Sequence, residues 1–95
     1  EEEGVIYVDE GAKKALREHG TSLLPSGIIN VSGEFERGAI VAVADIGGNV
    51  FAKGISNYSS MFINRIKGLK SNCIYNKYLD YNEEEIIHRD NLGIL

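Results

Sequence analysis

Glycine recurs along this chain and limits the length of the elements that it can form. Eleven of the 95 residues are glycine, and they are spread from Gly4 to Gly93. Glycine is disfavoured inside regular elements because it loses more conformational freedom on folding than any other residue, and it is frequent at turns and helix ends. The sequence therefore predicts many short elements. Cys73 is the single cysteine, so no internal disulfide can form and packing alone must hold the fold.

The first two elements are predicted to be a strand and a helix. Residues 4–8 are rich in β-branched and aromatic side chains, which favour a strand. Asp9 is placed to cap a helix over residues 10–19, and Gly20 is placed to end it. At about 100° per residue, one face of this helix is expected to pack on a core. That face consists of Ala12, Ala15, Leu16 and His19.

Three strands are predicted next, over residues 28–32, 39–44 and 50–55, and we interpret them as a meander. The Gly47-Gly48 pair readily takes the positive φ of a tight hairpin turn between the last two strands. Residues 40–43 are uninterrupted apolar residues, as expected for a strand buried on both faces.

The rest of the chain is predicted to contain two helices and a closing strand. The first helix covers residues 58–67 and ends at Gly68, and Ser71 is placed to cap the second. The second helix carries Ile74, Tyr75, Tyr78 and Leu79. The closing strand begins at residues 86–88 and extends to the last residues. So many short strands are best joined in a small, partly open barrel with helices at its ends. The predicted fold class is mainly β with short helices (α+β).

No motif assembles an active site or a metal site. The His88-Arg89-Asp90 triplet is similar to a protein-kinase catalytic loop, but Leu95 stands where that loop needs an asparagine. The histidines and the cysteine lack metal-ligand spacing. His19 is instead expected to pack at the helix end, and Cys73 to be a buried or half-buried small residue. We predict no catalytic residue and no metal ligand.

Charge and hydropathy narrow the possible partners and location. The net charge is −4, which argues against strong non-specific binding of nucleic acid. The sequence has neither a leader pattern nor a run of about 18 apolar residues, so a cytoplasmic chain with no membrane partner is expected. Lys13 and Arg17 project together from the first helix, near Lys14. They form either a solvated helix face or a contact for an anionic partner.

The same residues carry a resemblance to a known family. The chain resembles the PUA domain at the end of bacterial glutamate 5-kinases over nearly its whole length and in collinear order. The motifs that look specific to the kinases are Ser22-Leu23-Leu24-Pro25, Asn57-Tyr58-Ser59-Ser60 and His88-Arg89-Asp90-Asn91. Two positions depart from the family, Ala39 where an aspartate is usual and Asp80 where a glycine is usual.

The resemblance implies a fold, and it implies that catalysis belongs to a different domain of the parent enzyme. It implies a PUA-type pseudo-barrel of five or six strands over residues 4–95, with residues 1–3 as the remnant of a linker. The parent enzyme would phosphorylate the γ-carboxylate of glutamate with ATP in proline biosynthesis. ATP and magnesium would belong to an upstream amino-acid-kinase domain that is absent here, so no catalytic residue can be carried over and no cofactor is assigned to this domain.

Two functions remain open on the sequence. The first is an accessory or regulatory domain that contacts its own kinase domain or a neighbouring subunit. The alternative is a weak RNA-binding module, by analogy with PUA domains of RNA-modifying enzymes. In that case the first helix, the glycine turns beside it and two flanking arginines would contact RNA. The candidate residues are Lys13, Lys14, Arg17, Gly20, Gly27, Arg37 and Arg89.

Overall fold

Residues 2–95 fold into one five-stranded sheet and three short helices. The computed structural model describes residues 2–95, so Glu1 of the predicted linker lies outside the described residues. The strands are β1 (Val5–Val8), β2 (Ile28–Ser32), β3 (Ile40–Ala44), β4 (Val50–Ile55) and β5 (Leu92–Ile94). The helices are α1 (Glu10–His19), α2 (Ser60–Ile66) and α3 (Ser71–Tyr75). None of the helices among these residues is long and apolar enough to cross a membrane.

The strand order corrects the predicted meander. The sheet has the order β2-β1-β3-β4-β5, so β1 lies between β2 and β3. It pairs antiparallel with β2 and parallel with β3, and all other pairs are antiparallel. Residues 33–39 must therefore carry the chain across β1 before β3 begins. The hairpin prediction is confirmed, since β3 and β4 pair across a turn in which Gly48 has a φ of 88°.

One hydrophobic core lies between the sheet and the helices. It joins alternate residues of the central strands to the buried sides of the three helices. The strands contribute Ile6, Val8, Val41 and Val43, and the helices contribute Leu16, Ile63, Ile66 and Ile74. The predicted fold class is confirmed, since the structure is a mixed five-stranded sheet with short helices.

The first helix has the predicted bounds and caps, but one of its residues lies elsewhere than predicted. The side chain of Asp9 accepts a hydrogen bond from the Ala12 N–H at 2.7 Å, and Gly20 takes the left-handed conformation with a φ of 60°. Leu16 is buried, whereas His19 is exposed. The prediction that His19 packs on the core is wrong because Leu16 is the last residue of the helix that reaches the core.

The segment that follows α2 differs most from the prediction. Lys70, rather than Ser71, precedes α3, and the Ser71 hydroxyl lies 3.1 Å from that of Tyr81. Cys73 is exposed, not buried. Residues 86–88 do not form the predicted strand, and only a single β-bridge joins Ile87 to Leu23. The closing strand β5 begins at Leu92, after a 3-10 turn.

Two buried tyrosines hold this irregular segment in place. The Tyr58 hydroxyl donates to the carbonyl of Glu83 at 2.7 Å and accepts from its N–H at 2.9 Å. The Tyr81 hydroxyl donates to the Glu84 carbonyl at 2.6 Å. Burial raises the pKa of both phenols. Residues 81–85 form no strand, and hydrogen bonds from the two tyrosine hydroxyls to the backbone hold them in place instead.

Gly54 in β4 should not tolerate a side chain. A Cβ built there would lie 2.7 Å from Ile87 Cγ2 and 2.8 Å from the Asn91 carbonyl oxygen. Because the second contact is with backbone, we expect Gly54→Ala to lower the free energy of unfolding by about 1–3 kcal/mol, measured by urea titration. Gly93→Ala in the paired strand is the control, since nothing lies within 4 Å of its Cβ. Equal losses in the two variants would contradict this explanation.

Candidate nucleic-acid interface

A groove runs between α1 and the segment that follows it. Its volume is about 380 Å³, and its α1 wall is formed by Gly11, Ala12 and Ala15. The opposite wall is formed by residues 21–27, which end in a 3-10 turn over Pro25–Gly27. Leu16, Leu23 and Leu24 also line the groove, so its surface is mainly apolar.

Gly27 brings the two walls of the groove together. Its carbonyl accepts a hydrogen bond from the Asp9 N–H at 3.0 Å, directly before α1. A Cβ at residue 27 would lie only 2.6 Å from the Cβ of Ala12. A larger residue would therefore push the turn away from the helix, so the close approach depends on glycine.

Lys13 does not face the groove but binds a carboxylate of the β3–β4 hairpin. Its Nζ lies 2.8 Å from Asp45 Oδ2 and 5.6 Å from the centre of the Phe51 ring. Asp45 is buried and also accepts a hydrogen bond from the Asn49 N–H at 2.9 Å. The hydrogen bond from Lys13, followed by that from Asn49, lowers the pKa of Asp45 from its ordinary value of 3.8 to about 2. The charge of Lys13 is thus neutralised within the domain.

The other candidate residues divide between the groove and distant sites. Arg89 lies beside the groove, because its backbone N–H donates a hydrogen bond to the hydroxyl of Ser22 in the groove wall at 2.8 Å. Arg37 lies elsewhere and forms an ion pair with Glu83 at 2.7 Å. Lys14 and Arg17 are exposed on sides of α1 that do not line the groove. Gly20 follows α1 with nothing within 4 Å of its Cβ position.

The structure therefore brings Gly27 and Arg89 to one surface and leaves the remaining candidates outside it. It also adds groups that the sequence did not indicate. The hydroxyls of Thr21, Ser22 and Ser26 line the groove. Gly68 N–H donates to the Pro25 carbonyl at 2.8 Å, which places the turn between Lys67 and Lys70 against the groove segment. These two lysines lie more than forty residues from Pro25 in sequence (67 − 25 = 42 for Lys67), so no local pattern could indicate them.

The remaining motif residues have structural contacts. His88 begins the second 3-10 turn, where its Nδ1 accepts from the Asp90 N–H at 3.1 Å. Within residues 2–95, no three His, Cys, Asp or Glu side chains come close enough to hold a metal ion. The groove itself combines apolar side chains, hydroxyl groups and one neighbouring arginine. Such a surface can accept a flat group that forms a few hydrogen bonds, such as a base.

Comparisons with known proteins agree with this fold. Residues 4–76 match the family model of the PUA domain. The chain is 49% identical over 96 residues to the glutamate 5-kinase of Caldanaerobacter subterraneus subsp. tengcongensis, covering 97% of this chain and 25% of the relative. It is 52% identical over 93 residues to that of Carboxydothermus hydrogenoformans, covering 98% and 25%. The match lies in the C-terminal region of these proteins, so the chain spans about a quarter of their length.

A solved structure supports the same fold. The crystal structure of a PUA domain from Aeropyrum pernix K1 superposes with a TM-score of 0.64 at 24% sequence identity. The superposition covers 90% of this chain and 41% of that chain.

The Lys13–Asp45 pair should make stability depend on pH. Because the pKa of Asp45 is lowered in the folded state, its ionised form stabilises the fold above its ordinary value of 3.8, and this contribution is lost as pH falls through about 2. We expect Asp45→Asn to be less stable than wild type at pH 7 and the difference to shrink towards zero near pH 2. Urea titrations between pH 2 and 7 measure it, with exposed Asp80→Asn as control. A difference that does not change with pH would contradict the assignment.

Proposed function

Since this chain belongs to the PUA domain family, we propose that it is the C-terminal accessory domain of a glutamate 5-kinase. The observation that supports the proposal is 49–52% identity to two such kinases along 97–98% of the chain. The matches cover nearly the whole chain, so they extend well beyond its core strands. The parent enzyme would transfer the γ-phosphoryl group of ATP to the γ-carboxylate of glutamate, in proline biosynthesis.

Under this proposal the chemistry belongs to the preceding domain. ATP, magnesium and glutamate would be held by an amino-acid-kinase domain, and we assign no reaction to this chain. Its role would be to contact that domain or a neighbouring subunit and to influence activity, inhibition by proline or assembly. The proposed location is the cytoplasm, where an exposed unpaired cysteine such as Cys73 stays reduced.

A domain exchange tests the proposal. The C-terminal region of the Carboxydothermus hydrogenoformans kinase is deleted or replaced by this chain, and activity, proline inhibition and oligomeric state are measured. We expect the deletion to change at least one property about threefold or more, and the exchange to restore that property. Restoration is expected because contacts with the kinase domain depend on side chains that the two C-terminal regions share.

The matched control carries the Aeropyrum pernix PUA domain in the same place. It has the same fold but only 24% identity, so we expect it not to restore the lost property. A deletion without effect would contradict an accessory role. Equal restoration by both domains would contradict a specific match to the kinase.

RNA binding is the second candidate function, and the groove is the observation that favours it. Gly27, the groove hydroxyls and Arg89 form one surface that admits close approach of a nucleotide. The excess of acidic residues sets a limit on affinity, because phosphate contacts by cations supply most of the binding energy. Binding would therefore be modest and would weaken steeply with added salt.

Charge reversal beside the groove tests this candidate. If the groove binds RNA, Arg89→Glu should weaken binding of a structured RNA at low salt about tenfold or more, measured by fluorescence anisotropy. Lys77→Glu, which makes the same type of charge change after α3, should bind like wild type. Lys14→Glu with Arg17→Glu reports whether the exposed side of α1 contributes. Equal binding by all variants would exclude the groove as the RNA site.

A further inference from the structure

The sheet has a second apolar face, on the side away from the core. Because side chains alternate along a strand, residues between the core positions of β1, β3 and β4 point to this side. Ile40 and Ile55 lie directly opposite each other in the β3–β4 register and are 45% and 41% exposed. We call this surface the outer face and define it by Tyr7, Ile40, Ala42, Ala44, Lys53 and Ile55.

The centre of the outer face is buried although its residues stand apart from the core. Ala42 and Ala44 are buried, yet neither belongs to the hydrophobic core cluster. The strand register places Tyr7 beside Ala44 and Lys53 beside Ala42. Small residues flanked by exposed isoleucines form a shallow surface that another protein surface can approach closely.

Charge on the outer face is sparse and already neutralised. Lys53 lies in its middle, and its Nζ is 2.5 Å from the Glu2 carboxylate. At one end, Tyr7, Ile29 and Ile46 surround a hollow of about 360 Å³, and Ile29 and Ile46 are exposed. Among the six residues that define this face, Lys53 is the one charged residue. Apolar patches of this kind typically mark protein contacts, whereas nucleic acid requires free cations.

The path of the chain identifies what covers this face. The Glu3 N–H donates to the Ile40 carbonyl at 2.8 Å, and Glu2 reaches Lys53, so the chain enters the domain along the outer face. The kinase relatives are about four times longer than the segment they share with this chain, which is their C-terminal region. Glu2 and Glu3 therefore bring the chain to β1 beside Ile40 and Lys53, which belong to the outer face.

We propose that the outer face is the docking surface for the preceding domain of the same polypeptide. The proposal rests on the proposed function and adds the surface through which the accessory role would act. Contacts between domains of one chain are commonly of this mixed kind, with an apolar centre and a few ion pairs.

Cysteine labelling tests the docking. In a Cys73→Ser background, Ile55→Cys and Leu79→Cys are each prepared in this chain alone and in the exchanged kinase. Both native side chains are exposed apolar residues, 41% for Ile55 and 99% for Leu79, but only Ile55 belongs to the outer face. Maleimide labelling is followed on the peptide that contains each cysteine, so cysteines of the kinase do not interfere. We expect Ile55→Cys to react at least tenfold more slowly in the exchanged kinase than in this chain alone, and Leu79→Cys to react equally in both.

Two results of the labelling experiment would decide against the docking surface. Equal rates for Ile55→Cys in the two proteins would overturn the proposal. Protection that already develops in this chain alone as its concentration rises would assign the face to a second copy and would also overturn it. The labelling rate does not depend on catalysis. An exchanged kinase that shows protection but fails the domain-exchange test would therefore contradict the proposed function and leave the docking surface intact.

Discussion

The position of β1 between β2 and β3 determines where the rest of the molecule lies. Its parallel pairing with β3 places the start of the chain in the middle of the sheet, so the helix that follows begins at the sheet end where β2 starts. That connection is short, and the hydrogen bond from Asp9 N–H to the Gly27 carbonyl joins the beginning of α1 to the turn before β2. The groove is a direct consequence. A peripheral β1 would leave neither the groove nor the entry of the chain along the outer face.

Local sequence patterns predicted the helices and strands well. Contacts between residues far apart in sequence could not be predicted from such patterns. The bounds of α1, β2 and β4 agree with the prediction because each rests on nearby signals, such as the Asp9 cap and the Gly48 turn. The strand order does not follow from such signals, since β1 meets β3 more than thirty residues later (40 − 5 = 35). A meander is the simplest arrangement of consecutive strands, and here it is wrong.

Distant contacts also explain why part of the candidate site was predicted wrongly. Lys13 was predicted on a solvated or partner-binding face because its helical neighbours are charged, but its ammonium meets Asp45 from a hairpin thirty-two residues away. No spacing rule within a helix can indicate that pair. Arg37 and Glu83 pair over a still longer distance. Gly27 was indicated correctly as a point of close approach, since that property belongs to the residue itself and needs no knowledge of its neighbour.

The two surfaces of the domain differ in a way that suits two different contacts. The groove beside α1 is narrow and carries hydroxyls and a neighbouring arginine, whereas the outer face is broad, apolar and almost without free charge. Side chains of β1 and β3 alternate between the core, on which Leu16 of α1 packs, and the outer face. On the core side, Ile6, Val41 and Val43 are fully inaccessible to solvent. Because close-packed residues leave little space to absorb a displacement, we expect a contact that shifts β1 against β3 on the outer face to displace α1 as well.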